Sequence, residues 1–202
     1  MKTYLFDMST ALFYDSETTG FPNGGKLVDP SQPRIVQMAA CLVDLDSRKT
    51  ISSIDVVINP DVHISEHVAN VHGITRTIAS TFGTKPSSAM LLFHDMWTKA
   101  AVRIAHNQTF DQKMVAIELA NIYGEDSIMV GDWQQGKTAC TMLMAHPLTK
   151  DHKSGWPNLS FCHEHLLGQS IDGAHNAMVD VLACIELYFH LVDMEKINGH
   201  KD

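Results

Sequence analysis

Three short acidic stretches, far apart in the chain, carry side chains suited to a single chemistry. They are Asp15-Ser-Glu17-Thr-Thr-Gly20, His106-Asn-Gln-Thr-Phe-Asp111 and His175-Asn-Ala-Met-Val-Asp180. Asp15, Glu17, Asp111 and Asp180 offer hard oxygen ligands, and no cysteine interrupts the three stretches, a donor set that favours Mg²⁺ or Mn²⁺ over zinc or copper. Two such ions stabilise the attacking and leaving oxygens of an in-line phosphoryl displacement, while an imidazole removes a proton from the attacking water. With His175 as that imidazole, the residues suit metal-dependent phosphodiester hydrolysis.

The elements must place these groups together. On an extended strand alternate side chains share a face, so Asp15 and Glu17 point one way and Ser16 the other. Asp111 and Asp180 each fall at the start of a helical pattern and bring oxygens from distant parts of the chain. His175 and Asp180 are five residues apart and would diverge by about 140° on one ideal helix. His175 must therefore precede the helix, and Gly173 just upstream allows the required bend.

Strands are expected over Ala11 to Tyr14 leading into the acidic pair, Arg34 to Leu45, Ile51 to Ile58, Ala101 to Ala105 and Ser127 to Val130, with a hairpin turn at Asp46 to Thr50. Thr18 to Pro33 holds three prolines and three glycines and reads as a loop beside the acidic pair. Helices are expected over His63 to Val71, Ser87 to Ala100, Gln108 to Tyr123 closed by Gly124, Asn158 to Leu167 and Ala177 to Met194. Asp132 to Pro157 is the least regular part, around one helical segment at Thr138 to Ala145. Such irregular segments often carry substrate contacts.

The 202 residues, 45% hydrophobic, suffice for one compact domain over 1–202 with its core at about 11–195. No apolar run is long enough to span a membrane, and the first ten residues lack a signal-peptide pattern, so a soluble cytoplasmic protein is expected. Cys41, Cys140, Cys162 and Cys184 are scattered without a Cys-x-x-Cys pair and read as reduced, packed thiols. The formal net charge of −8 argues against tight, extended, nonspecific duplex binding. It argues less against a nuclease, because four of the negative charges sit where divalent cations would offset them.

Asp15-x-Glu17-Thr-Thr-Gly, Ala105-His-Asn-x-x-Phe-Asp111 and His175-x-Ala-x-x-Asp180 resemble, in order and spacing, the three exonuclease motifs of the DnaQ-like, or DEDDh, superfamily. Together they span about four fifths of the chain. The resemblance implies an α/β, RNase H-like fold, a central mixed five-stranded sheet flanked by helices, and removal of mononucleotides from a 3′ end. It implies that Asp15 bridges two ions, that Glu17 and Asp180 hold the ion carrying the nucleophilic water, that Asp111 supports the second, and that His175 is the general base. Thr18, Thr19 and Phe21, in the loop after the first motif, become candidates for contact with the terminal nucleotide, Phe21 by stacking.

Each stretch alone has a plainer reading. Asp-x-Glu is common on solvated strand edges, a first-turn aspartate is favoured by the helix dipole, and Asp180 could be a polar position on an amphipathic helix. Their conjunction favours the site. His63, His67 and His72, or Cys162, His163 and His165, lack the second pair that would complete a tetrahedral zinc set. Trp133 and Trp156, with Lys137, Lys150 and Lys153, form either a platform for a single strand or ordinary packing. The expected substrate is the 3′ end of single-stranded or frayed DNA. The alternatives are an RNA-trimming or oligoribonucleotide-consuming enzyme, or a nucleic-acid-end-binding replication accessory module. A polymerase or a second copy is a candidate partner, although no separate binding tail is evident after Met194.

Overall fold

The computed structural model describes residues 9–150 and 155–199. Five strands form one mixed sheet: β1 (Thr10–Thr18), β2 (Ile35–Asp44), β3 (Lys49–Val57), β4 (Val102–Ala105) and β5 (Thr138–Cys140), in the order β3-β2-β1-β4-β5. β2 runs antiparallel to both neighbours, whereas β4 is parallel to β1 and β5 parallel to β4. β1, β4 and β5 therefore end at one edge of the sheet, where open α/β sheets commonly place their ligands.

The helices are α1 (Glu66–His72), α2 (Arg76–Phe82), α3 (Pro86–Trp97), α4 (Gln108–Tyr123), α5 (Ile128–Gln135), α6 (Thr141–Ala145), α7 (Leu159–Leu167) and α8 (Ala177–Gly199), with a 3₁₀ turn at His146–Leu148. Strand alternation divides the core into two layers. Leu12 and Tyr14 of β1 pack with α3, α4 and α5, around Met90, Phe93, Trp97, Met114 and Trp133. Ala11 and Phe13 face the other way, onto Ala177, Val181 and Cys184 of α8. β2 is buried along nearly its whole length because layers cover both its faces, while β3 is an exposed edge. Among the described residues no helix is long and apolar enough to cross a membrane.

A buried clamp joins the layers near the future site. Glu118, fully buried on α4, accepts from Arg34 Nε at 2.8 Å and Nη2 at 2.7 Å, and from the Ile35 amide at 2.9 Å. Such a charge is tolerable inside because it is bidentately paired.

Two expectations are corrected. Ser127 to Val130 is not a strand: Ser127 precedes α5, where Val130 and Trp133 are buried three residues apart while Ile128 is 77% exposed. A strand would have put Ile128 and Val130 on the same face; the helical spacing prevails. The fifth strand is instead Thr138–Cys140, so the helix expected over Thr138 to Ala145 shrinks to Thr141–Ala145. Pairing of Arg103, Ile104 and Ala105 with Thr138, Ala139 and Cys140 imposes that extended stretch, which three residues could not signal locally.

Smaller differences follow local chemistry. α2, absent from the sequence expectation, starts where the Thr75 hydroxyl accepts from the Ile78 amide at 3.2 Å. α3 begins at Pro86 and stops at Trp97, and β1 extends through Thr18, so Thr18 belongs to the strand rather than the loop. All four cysteines are free thiols.

Candidate active site

The alternation that buries Phe13 against α8 continues along β1, so Asp15 and Glu17 emerge on the α8 side of the sheet's edge, both half-buried. Ser16 points to the opposite layer, where its hydroxyl and amide both donate to Asp111 Oδ1, at 2.7 and 3.0 Å. Asp111 lies in the first turn of α4 and is 2% exposed. β4 delivers it: two residues after the strand ends, Asn107 adopts φ 58° and turns the chain into α4. That left-handed conformation suits asparagine.

Asp180 sits in the first turn of α8, and its Oδ2 accepts from the His175 amide at 3.1 Å. His175 precedes α8 by two residues, exposed, with φ 68°, after a bend at Gly173 with φ 80°. Ligand atoms of Glu17, His175 and Asp180 lie within 4.8 Å of one another.

Electrostatics bind Asp15 and Asp111 into the same group. Burial, then Asp111, Asp180 and Glu17, push Asp15 well above the usual carboxylate range. Burial and then Asp180 raise Glu17 to about 7. Burial raises Asp111 to about 7 despite the two bonds from Ser16, with Glu17 adding to the rise. Asp180 is raised by burial, against the pull of the His175 amide and ring. Mutual repulsion of crowded carboxylates favours either shared protons or bound cations. An all-oxygen cluster of this kind fits divalent hard cations.

A cavity of about 550 Å³ opens beside the carboxylates, walled by Glu17, Thr18, Phe21 and Phe110 on one side and by His67, Val68, Val71 and His72 of α1 on the other. Phe21 is 87% exposed and meets Phe110 edge-on at 5.8 Å. Thr18 lines this cavity while its hydroxyl donates to the Gly20 carbonyl at 2.7 Å. Thr19 does not: its hydroxyl accepts from the Arg34 amide at 3.0 Å, and it borders a separate hollow.

No pattern in the residues of α1 shows that this helix faces the cavity. His72 Nδ1 accepts from the Ile74 amide at 3.0 Å, and burial holds its pKa below the usual histidine range, so the ring is neutral with Nε2 protonated. His106 is also neutral, its pKa depressed by burial to about 4. Its Nε2 donates to the Pro157 carbonyl at 3.0 Å, so Nδ1 accepts from the Thr141 hydroxyl at 3.0 Å.

The tryptophan platform divides. Trp133 is fully buried, with its indole N–H donating to the Gln112 carbonyl at 2.9 Å, and Lys137 precedes β5 at the sheet's opposite end. Lys153 lies outside the described residues. Trp156 alone stays at the surface, against His146.

The mixed sheet brings its carboxylates together at one edge, and comparison with known proteins places the chain in a family. The model of the RNase_T family, described as exonuclease, matches residues 12–188, and the chain belongs to that family, within the DnaQ-like superfamily. Its α/β fold is RNase H-like. Escherichia coli exonuclease I in complex with a dT13 oligonucleotide is 22% identical, with TM-score 0.71 over 95% of this chain and 42% of that one. The zinc-ion-bound E. coli exonuclease I–single-stranded DNA complex is 25% identical, with TM-score 0.67 over 93% of this chain and 41% of that one. A moderately thermophilic exonuclease I from Methylocaldum szegediense is 22% identical, with TM-score 0.66 over 92% of this chain and 40% of that one. The chain thus spans about two fifths of the length of these relatives. No curated protein sequence matches it significantly.

Proposed function

We propose that the protein is a metal-dependent 3′→5′ exonuclease that removes nucleoside 5′-monophosphates from single-stranded or frayed DNA ends. The observation that carries this is the convergence of Asp15, Glu17, Asp111 and Asp180 with His175 at one sheet edge, the carboxylates raised by their own crowding. The relatives described in complex with dT13 and single-stranded DNA support DNA as the polymer.

Asp15, Glu17, Asp111 and Asp180 would hold two Mg²⁺ or Mn²⁺ ions, whose chemistry is to neutralise phosphate charge and to stabilise the attacking and leaving oxygens. The chain's own groups do the rest. The cavity between Phe21 and α1 receives the terminal nucleotide, its apolar wall against the base and Glu17 toward the sugar-phosphate. Water attacks the 5′-phosphorus of that nucleotide, forming a P–O bond as the P–O3′ bond to the penultimate nucleotide breaks. His175 takes the water proton at a ring nitrogen, and the departing 3′-oxygen acquires a proton to end as a hydroxyl. The amide of His175 on Asp180 keeps the base's loop at the metal-binding carboxylate.

The test is digestion of 3′- and 5′-labelled DNA oligomers, with matched RNA oligomers alongside, in Mg²⁺ or Mn²⁺. Wild-type protein should release mononucleotides from the 3′ end, and Asp15→Ala and His175→Ala should not. Equal activity in all three proteins refutes the mechanism, and a preference for the RNA series reassigns the polymer. Binding without turnover would instead make the protein an end-binding module.

A further inference from the structure

Of the three tryptophans, Trp97 and Trp133 are buried, while Trp156 is 57% exposed. Among the described residues His146 supports its ring, 4.6 Å away between centroids at an interplanar angle of 40°. An indole exposed on an irregular segment is unremarkable unless the segment is held somewhere in particular. This one is.

The carbonyl of Pro157, the next residue, accepts from His106 Nε2 at 3.0 Å. His106 follows β4 directly and stands five residues before Asp111. Its other nitrogen accepts from Thr141, the first residue of α6, whose hydroxyl oxygen is 3.4 Å from Cys184 Sγ, one turn beyond Asp180 on α8. Trp156 is therefore fastened to the same sheet edge as the carboxylates by residues that flank two of them. Its anchors follow β4 and β5, His106 directly after one and Thr141 directly after the other, whereas the 550 Å³ cavity is walled by α1, whose Ala69 packs with Val36 of β2. β1, with Asp15 and Glu17, runs between.

The chain's net charge of −8 limits how firmly it can grip a polyanion through phosphates. Stacking on aromatic faces is indifferent to that charge and to base identity. We propose that Trp156, backed by His146, is an outer subsite that stacks an unpaired nucleobase upstream of the scissile bond, and that His106 is the positioning residue that fixes it. The inference rests on the exonuclease reading for its ligand. A strand seated with its 3′ nucleotide against Phe21 crosses the carboxylates and reaches Trp156, so both sides of the cleavage point are held by aromatic rings.

Because Trp156 is the one exposed tryptophan, its fluorescence reports the contact directly. Single-stranded thymidine oligomers, titrated with Ca²⁺ in place of Mg²⁺, should quench wild-type fluorescence. Trp156→Ala should raise the Kd about tenfold and abolish the quenching, and Trp156→Phe should recover most of the affinity. An oligomer with abasic sites upstream of the terminal nucleotide should bind wild-type protein as weakly as the intact oligomer binds Trp156→Ala. His106→Ala should raise the Kd for intact oligomers but have little further effect on abasic ones, a pattern that general destabilisation would not produce. Equal Kd values for wild type and Trp156→Ala, or for intact and abasic oligomers, would overturn the subsite. Hydrolysis of a nucleoside 5′-phosphate aryl ester by the wild type separately reports the exonuclease reading, so the two can fail independently.

Discussion

Ser16 gives both its amide and its hydroxyl to one oxygen of Asp111, at 3.0 and 2.7 Å, across the boundary between β1 and α4. The bonds orient a buried carboxylate and leave its second oxygen uncommitted. They also oppose the effect of burial on Asp111. Ser16→Ala removes the hydroxyl bond, so Asp111 should hold its proton more tightly and yield it less readily to a cation. The Mg²⁺ concentration for half-maximal activity should rise several-fold at neutral pH, with activity at saturating Mg²⁺ much less affected, since one bond to a charged group is worth about 1.5–3 kcal/mol. A Mg²⁺ titration of exonuclease rate checks this.

The carboxylates also set a pH dependence opposite to that of an ordinary surface aspartate. Glu17 and Asp111 titrate near 7 in the fold, raised first by burial, against about 4 for such groups when unfolded. Between those values the folded chain binds more protons than the unfolded one. Their contribution to stability is therefore fully present below about pH 4 and is lost as pH rises through about 7. Metal-free protein should lose thermal stability from pH 5.5 to 8, and Mg²⁺ should raise the melting temperature more at pH 8, where the ligands are ionised. Melting curves in EDTA and in Mg²⁺ at the two pH values decide the point, and a larger Mg²⁺ effect at pH 5.5 would contradict it.

Glu118 illustrates a charge whose role is structural. It is fully buried and joins Arg34 and the start of β2 to α4. Glu118→Ala should cost about 3–5 kcal/mol, because it leaves Arg34 half-buried without its partner. Replacing both residues by apolar ones should cost less than the single change. Urea denaturation of the single and double variants measures the difference.

Much of the site was legible because its geometry is local. Two-residue alternation put Asp15 and Glu17 on one face, and a five-residue separation forced His175 off the helix that carries Asp180. Ser16 was correctly turned away from that pair, yet what it meets, Asp111, depends on the parallel pairing of β1 with β4. The α1 wall, Val68, Val71 and His72, was illegible for the same kind of reason: nothing in a seven-residue helix says which loop it will face. β5 was misplaced because Ile128-Met-Val130 is apolar enough for either strand or helix, and only the burial of Trp133 one turn on distinguishes them. Trp133 and Trp156 were indistinguishable as letters, and the fold put one in the core and left the other at the surface against His146.

His163 ties the loop that carries His175 to α8. Its Nδ1 lies 2.9 Å from the Gln169 carbonyl and its Nε2 2.9 Å from Glu186 Oε2. Gln169 begins the segment leading to His175, six residues on. His163→Ala should let that segment wander, lowering kcat several-fold or more with a smaller change in KM, since of the cavity's lining only His175 belongs to that segment while Phe21, Phe110 and α1 stay in place. Steady-state kinetics on a short oligomer separate these effects, and an unchanged kcat would show the tether to be irrelevant to the base.

Phe21 is the most exposed large apolar side chain among the described residues. At 87% exposed, with an edge contact to Phe110, it contributes little to the fold. It shares the wall of the cavity with Val68 and Val71, the cavity proposed to take the terminal base. Base–aromatic stacking is worth about 1–3 kcal/mol. Phe21→Ala should therefore raise KM for DNA oligomers about five- to a hundredfold while leaving the melting temperature within a degree or two, and Phe21→Leu should be intermediate. A ring that stacks on the base and not on the reacting phosphate predicts that the loss should appear when the last nucleotide carries a base and shrink when that nucleotide is abasic. A comparison of KM on those two substrates separates stacking from a mere covering of the sheet's end, for which both substrates would suffer alike.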